Sequence, residues 1–346
     1  MALTGKDIME MVNGFQKSQI LYSASSLGLF EALHASSVPL EGVAVANKLH
    51  TNLDATERLM NACVGLGFLE KEVDNAGTAS YSLTPTTEKY LVGSSPMSLR
   101  PLVTKIGDMY CIWQKLSDGI KDGQCKLGTT LGVSENYFDT GSGYFSTKSK
   151  QLEFLQAMHT FSSMDAPSVC TAFDLSAFKT MCDLGGATGA IAVRLAKTYP
   201  DSHVTLFDLG HVVDVAHHFM PKPKPQNMSF VGGDFFADDL PPSDLYVVSH
   251  VLHDWREERV NQLLRRIYNA LRPGGAILVF EKILNEDKNG PLPTLLFDLG
   301  MLIACEGRER SAHEYTTLLE ENGFCDVAIK MVPQASFRDA ILARKF

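Results

Sequence analysis

Hydrophobic and polar positions change their period partway along the chain. Before about residue 105 the apolar residues recur at helical spacing: Phe15, Ile20, Leu21, Leu27, Leu29 and Phe30 predict one helix over 14–33. A segment over 40–49 follows, and Asn52-Leu53-Asp54 gives an N-cap signal for a helix reaching Gly65. The runs 68–73 and 80–83, on either side of Asp74-Asn75-Ala76-Gly77, read as a hairpin. Helices followed by a two-stranded wing predict an N-terminal α-helical winged-helix domain over 1–105. Residues 106–170 read as linking helices, with Tyr110, Cys111, Ile112 and Trp113 close together at their start.

Over 171–346 the pattern is different. Short β-branched runs at 178–184, 203–208, 228–231, 244–251 and 276–281 read as strands, and helical stretches at 190–198, 212–219 and 256–271 separate most of them. A helix over 312–322 and strands over 326–332 and 337–343 complete the chain. Such alternation predicts βαβ units and a mainly parallel sheet, an α/β Rossmann-like domain.

Composition narrows the function. A chain of 346 residues with 45% hydrophobic and 21% charged residues has room for two ordinary cores. Its net charge of −9 argues against nucleic acid or an anionic membrane as partner. A winged helix could read DNA, but residues 1–105 hold eight Lys/Arg against ten Asp/Glu, and the 54–65 helix offers only Arg58. Phosphate neutralisation is therefore lacking, and a dimerisation and substrate-lid module is the better reading. The seven cysteines are scattered without a CxxC pair, as expected of reduced thiols in a cytoplasmic protein. No signal-peptide pattern or membrane-length apolar run is visible.

The chemistry lies at predicted strand ends. Asp183-Leu184-Gly185-Gly186-Ala187-Thr188-Gly189 is a glycine turn between strand and helix, but Ala187 and Ala190 break the dinucleotide spacing. Asp208 ends the next strand, where a carboxylate can accept from both ribose hydroxyls. Gly233-Asp234-Phe235 follows the third, offering an acceptor for an adenine amino group and a flanking ring. His253-Asp254-Trp255 ends the fourth, with Glu281 ending the fifth. Together these predict S-adenosyl-L-methionine as cofactor and methyl transfer to a hydroxyl, with His253 as base and Glu281 or Glu309 fixing its tautomer. No spaced metal-ligand set is visible, so no metal is expected.

At these residues the chain resembles the plant caffeate-type and animal acetylserotonin O-methyltransferase family. Gly14-Phe15-Gln16-Lys17-Ser18-Gln19, Thr171-Ala172-Phe173-Asp174-Leu175-Ser176, His253-Asp254-Trp255, Pro273-Gly274-Gly275 and the run from Asp339 to Lys345 carry the resemblance along nearly the whole length. It implies that His253 is the base, supported by Asp254, Glu281 and Glu309. It places the cofactor against Asp183, Gly185, Asp208, Gly233, Asp234, Phe235 and His250, the last standing where an arginine is expected. A small aromatic hydroxyl substrate would lie among Tyr110, Trp113, Phe154 and Met301. Gly300 and Ala304 replace an asparagine and a glutamine there, and Phe145 replaces a tyrosine. A homodimer formed through the N-terminal domain is also implied. The second reading is a catalytically weak relative that keeps the fold and dimer as a binding or structural protein, motivated by Ala187, His250 and Gly300.

Overall fold

The computed structural model describes residues 3–134 and 147–346. Phe145 lies outside the described residues. The chain divides into two compact units, one ending at Tyr110 and the other beginning at Cys111.

The first unit contains α1 (Gly5–Val12), α2 (Gly14–Ser26), α3 (Leu29–His34), β1 (Leu40–Glu41), α4 (Gly42–Leu49), α5 (Leu53–Gly65), β2 (Leu69–Val73), β3 (Ala79–Leu83) and α6 (Pro85–Leu91). The helix expected over 14–33 is two helices. Gly28 adopts φ +78, a left-handed conformation that ends one helix and starts another, so the continuous apolar periodicity hid a corner. Leu29, Phe30 and Leu33 of α3 are thereby turned into a core with Val45, Met60, Cys63, Leu69 and Tyr81. Asn52 caps α5 as the sequence predicts, its side chain accepting from Ala55 N–H at 3.0 Å. The hairpin pairs β2 with β3 in antiparallel register, and β1 adds a third strand that periodicity did not reveal.

The helix α7 (Arg100–Trp113) spans the unit boundary; α8 (Leu116–Asp122), α9 (Leu127–Leu131) and α10 (Lys148–Val169) follow. The rest of the second unit is built on β4 (Thr180–Leu184), α11 (Ala190–Thr198), β5 (His203–Asp208), α12 (Gly210–Ala216), β6 (Met228–Gly232), β7 (Leu245–Ser249), α13 (Glu257–Ala270), β8 (Ala276–Glu281), β9 (Ile283–Leu284), α14 (Leu292–Ala304), β10 (Arg310–Ser311), α15 (Ala312–Glu321), β11 (Cys325–Lys330) and β12 (Asp339–Arg344). Seven strands form one sheet in the order β11-β12-β8-β7-β4-β5-β6. The five from β8 to β6 are parallel, whereas β12 is antiparallel to β8 and β11 to β12. Nearly every residue of β4, β7 and β8 is buried, as expected of central strands covered on both faces, and separate apolar clusters pack on the two sides. All five parallel strands end on the same edge, and functional groups converge there. No helix among the described residues is long and apolar enough to cross a membrane.

Candidate active site

β4 runs into the glycine turn. Gly185 adopts φ +73, and a Cβ there would lie 3.0 Å from Val251 Cγ2 and 3.5 Å from the Phe235 ring. Glycine thus keeps an open floor beside Phe235. Buried Asp183 accepts the Ala192 N–H at 3.0 Å in the first turn of α11, tying the turn to the helix behind it. Burial pushes the Asp183 carboxyl up to about 7. At the end of β5, half-buried Asp208 accepts Ala187 N–H at 2.8 Å on one oxygen and Leu209 N–H at 2.7 Å on the other. Burial raises its carboxyl to about 6 against those two bonds, and each oxygen retains acceptor capacity. Ala187 presents its N–H from φ +48, a left-handed conformation unfavourable for a residue with a Cβ.

Gly233 is packed so closely that a Cβ would meet the Phe207 ring at 2.7 Å. Asp234 accepts the Phe236 N–H at 2.8 Å, so one of its oxygens caps its own turn. The Phe235 carbonyl receives Arg266 Nε at 2.9 Å, which fixes the loop. An open glycine floor, an aromatic edge beside it and a strand-end carboxylate with lone pairs to spare are what a nucleoside cofactor needs.

The histidine stands in a different setting from the one periodicity implies. Expected at the end of a strand over 244–251, His253 lies on a 3-10 turn, Leu252–Asp254, after β7 has ended at Ser249. His250 takes φ +53 and breaks the pleat. Glu281 then gathers the turn: its Oε1 accepts N–H groups from Val251 (3.2 Å), Leu252 (2.7 Å) and His253 (3.3 Å), and its Oε2 accepts the Tyr315 hydroxyl at 2.8 Å. Glu309 Oε1 is 2.7 Å from His253 Nδ1, while Asp254 Oδ1 is 3.7 Å from Nε2. Burial pulls the His253 imidazole down, but Glu309, Glu281 and Asp254 together outweigh it and push the ring up to about 10. Burial also raises Asp254, to about 7. With Nδ1–H held by Glu309, Nε2 is the nitrogen able to exchange a proton.

His250 lies 4.8 Å from His253, ring to ring, and its Nε2 donates to the Phe337 carbonyl at 2.9 Å. Burial, with the positive charge of Arg338 beside it, holds this imidazole well below its usual range, so it is neutral. The ligand-type atoms of His253, Glu281 and Glu309 lie within 4.8 Å of one another. Four hydrogen-bond donors already engage Glu281, however, so the cluster is organised around the turn.

The remaining expected residues are more dispersed. Gly300, Met301 and Ala304 share α14, with open space around Gly300 and Met301 accepting from Cys305. Trp113 and Phe154 are half-buried in the second unit. Tyr110 ends the first, its hydroxyl donating to the Phe15 carbonyl at 2.9 Å. Sequence reasoning missed Tyr315, Asp298, whose carboxylate accepts the Glu309 N–H at 2.8 Å, and a buried group around Arg338. No local spacing signals these contacts; only the run beginning at Asp339 pointed near the last.

Comparison with known proteins agrees with this architecture. Residues 113–325 match the O-methyltransferase domain and residues 9–93 the O-methyltransferase dimerisation domain. Acetylserotonin O-methyltransferase of Bos taurus is 39% identical over 340 residues, covering 98% of this chain and 97% of its own. The crystal structure of human N-acetylserotonin methyltransferase in complex with SAM superposes with a TM-score of 0.92 at 38% identity, covering 100% and 98% of the two chains. PigF with SAH matches at a TM-score of 0.89 and 26% identity, covering 99% and 100%. The chain therefore belongs to the O-methyltransferase family, as a methyltransferase domain joined to an N-terminal dimerisation domain.

Proposed function

We propose that this protein transfers a methyl group from S-adenosyl-L-methionine to the hydroxyl of a small aromatic molecule, with His253 as the general base. The observation that carries this reading is the 2.7 Å bond between His253 Nδ1 and Glu309 at the carboxyl edge of the sheet, which leaves Nε2 to take a proton. When bound, S-adenosylmethionine supplies an electrophilic methyl group on a sulfonium. The chain's own residues bind, orient and deprotonate. Gly185 and Phe235 form the floor and side of the cofactor site, Asp208 receives ribose hydroxyls, and Asp183 holds the turn. Asp234 keeps one oxygen for the adenine.

As the hydroxyl oxygen takes the methyl group and the sulfonium's C–S bond breaks to release S-adenosylhomocysteine, His253 Nε2 would accept the hydroxyl proton and Glu309 would stabilise the imidazolium. A phenol titrates near 10, so an imidazole raised to about 10 makes that transfer nearly balanced. The acetylserotonin methyltransferase relatives favour a hydroxyindole or related phenol, and the apolar composition of α14 suits a flat ring. Free cysteines throughout fit a reducing, cytoplasmic setting. The dimerisation domain and the exposed apolar residues of α1 support a homodimer. Calorimetry with S-adenosylmethionine, followed by a methylation screen of hydroxyindoles, phenols and flavonoids, tests the reading. Absence of cofactor binding, or of any methylated product, overturns it.

A further inference from the structure

Arg338 is among the largest fully buried side chains, at 2% exposure, and stands immediately before β12. Because Asp339 pairs with Glu281, it lies at the carboxyl edge of the parallel strands. Nε donates to Ser249 Oγ at 2.8 Å and Nη2 to Ser162 Oγ at 2.9 Å. Nη1 has no hydrogen-bond acceptor among the described residues. Asp165 Oδ2 forms an ion pair with Nη1 at 3.6 Å, outside hydrogen-bond reach, while its two oxygens accept the N–H groups of Ser336 and Phe337, each at 2.8 Å. Glu281 is engaged by the His253 turn and Asp183 by Ala192. Asp165 balances the buried charge, but Nη1 still lacks a hydrogen-bond acceptor, and a buried unbonded donor calls for one.

The position says which acceptor. Val248 pairs with Leu184 in the β7–β4 register, so Ser249, the anchor of Nε, stands beside Gly185 at the start of the glycine turn. The neighbouring His250 offers no positive charge there, since its imidazole is held well below its usual range and its Nε2 donates to the Phe337 carbonyl.

We propose that Arg338 binds the α-carboxylate of the cofactor's amino-acid end through Nη1, held in place by Ser249 and Ser162. This assignment rests on the S-adenosylmethionine reading above and adds a specific residue to it. Burial lowers the guanidinium only to about 10, so it stays charged at neutral pH.

The test is binding by calorimetry of two nucleosides to the full-length chain. S-adenosylhomocysteine carries the carboxylate; 5′-methylthioadenosine shares the adenosine and sulfur but lacks it. Arg338→Met is expected to weaken S-adenosylhomocysteine about 10- to 100-fold, the range for a hydrogen bond to a charged group, and methylthioadenosine less than about threefold. Retained methylthioadenosine binding shows that the variant is folded. If it does not fold, Ser249→Ala, which removes the Nε anchor, is expected to weaken S-adenosylhomocysteine alone, by at least about threefold. A variant that keeps the wild-type ratio of the two affinities, or loses both equally while folded, overturns the role of Arg338. Wild-type protein that binds neither nucleoside overturns the cofactor reading as well.

Discussion

At the scale of single residues, His253 and Asp208 carry pH signatures in different windows. The carboxylates around His253 favour its imidazolium, and an imidazolium cannot accept a proton. If Nε2 is the base, kcat/KM rises with pH above 7, as the raised imidazole near 10 releases its proton. Glu309→Gln removes the nearest carboxylate, so the inflection is expected to move to lower pH while the maximal rate falls. A profile unchanged by the substitution would separate Glu309 from the proton transfer. His253→Ala is expected to reduce turnover by about 10²–10⁴-fold with little change in cofactor affinity. Burial instead disfavours the ionised form of Asp208, whose carboxyl sits near 6. In the proposed site ribose hydroxyls donate to that ionised form, so cofactor affinity is expected to climb by up to about tenfold from pH 5 to pH 7 and then level off. Asp208→Asn should flatten this dependence, which calorimetry at several pH values would show.

Elements position these groups through backbone contacts. The turn bearing His253 is gathered by one carboxylate oxygen at the end of β8, and the loop after α14 packs directly against it. A Cβ at Gly307 would overlap the His253 carbonyl oxygen, so Gly307→Ala must displace either the turn or the loop that delivers Glu309. The expected outcome is at least about tenfold lower kcat with near-normal S-adenosylhomocysteine affinity, because a misplaced base loses orientation without disturbing the cofactor floor. On α14, the helix proposed to meet the substrate, Gly300 and Ala304 lie one helical turn apart. Neither has a hydrogen-bonding side chain. Weak preference for N-acetylserotonin over less polar flat phenols is expected, and Gly300→Asn with Ala304→Gln should shift preference toward the amide-bearing substrate. Competition assays between the two substrate types measure that shift.

For the whole molecule, the exposed apolar surface is informative. α1 is closed by a capping box between Thr4 and Asp7, yet Ile8, Met9, Met11 and Val12 are each more than half exposed, as is Phe15 in α2. Apolar side chains clustered this way mark an interface. Light scattering is expected to report about twice the 38.0 kDa chain mass, and Met9→Glu with Val12→Glu to release monomers. A wild-type monomer would remove the shared-interface reading. The patch sits mainly on α1, before the 14–33 stretch whose apolar period predicts a helix.

Much of the second unit is legible in sequence because its signals are local. The runs 203–208 and 276–281 become β5 and β8 with those bounds, and Asp208 and Glu281 stand at their ends as expected. Apolar runs bounded by turn residues fix strands, and glycine marks places where backbone needs room, as at Gly185 and Gly233. The N-terminal helix run misleads for the same reason: a left-handed glycine leaves the apolar period unbroken. Only tertiary structure decides which carboxylate holds which face of His253. Glu281, 28 residues beyond it, takes the backbone N–H groups, and Glu309, 56 residues beyond, takes Nδ1. Arg338 is likewise invisible to local pattern, since its meaning depends on Ser249, Ser162 and Asp165, brought beside it by an antiparallel strand and a distant helix. Periodicity records which face of an element is buried; the direction of a buried polar group depends on what folding places opposite it.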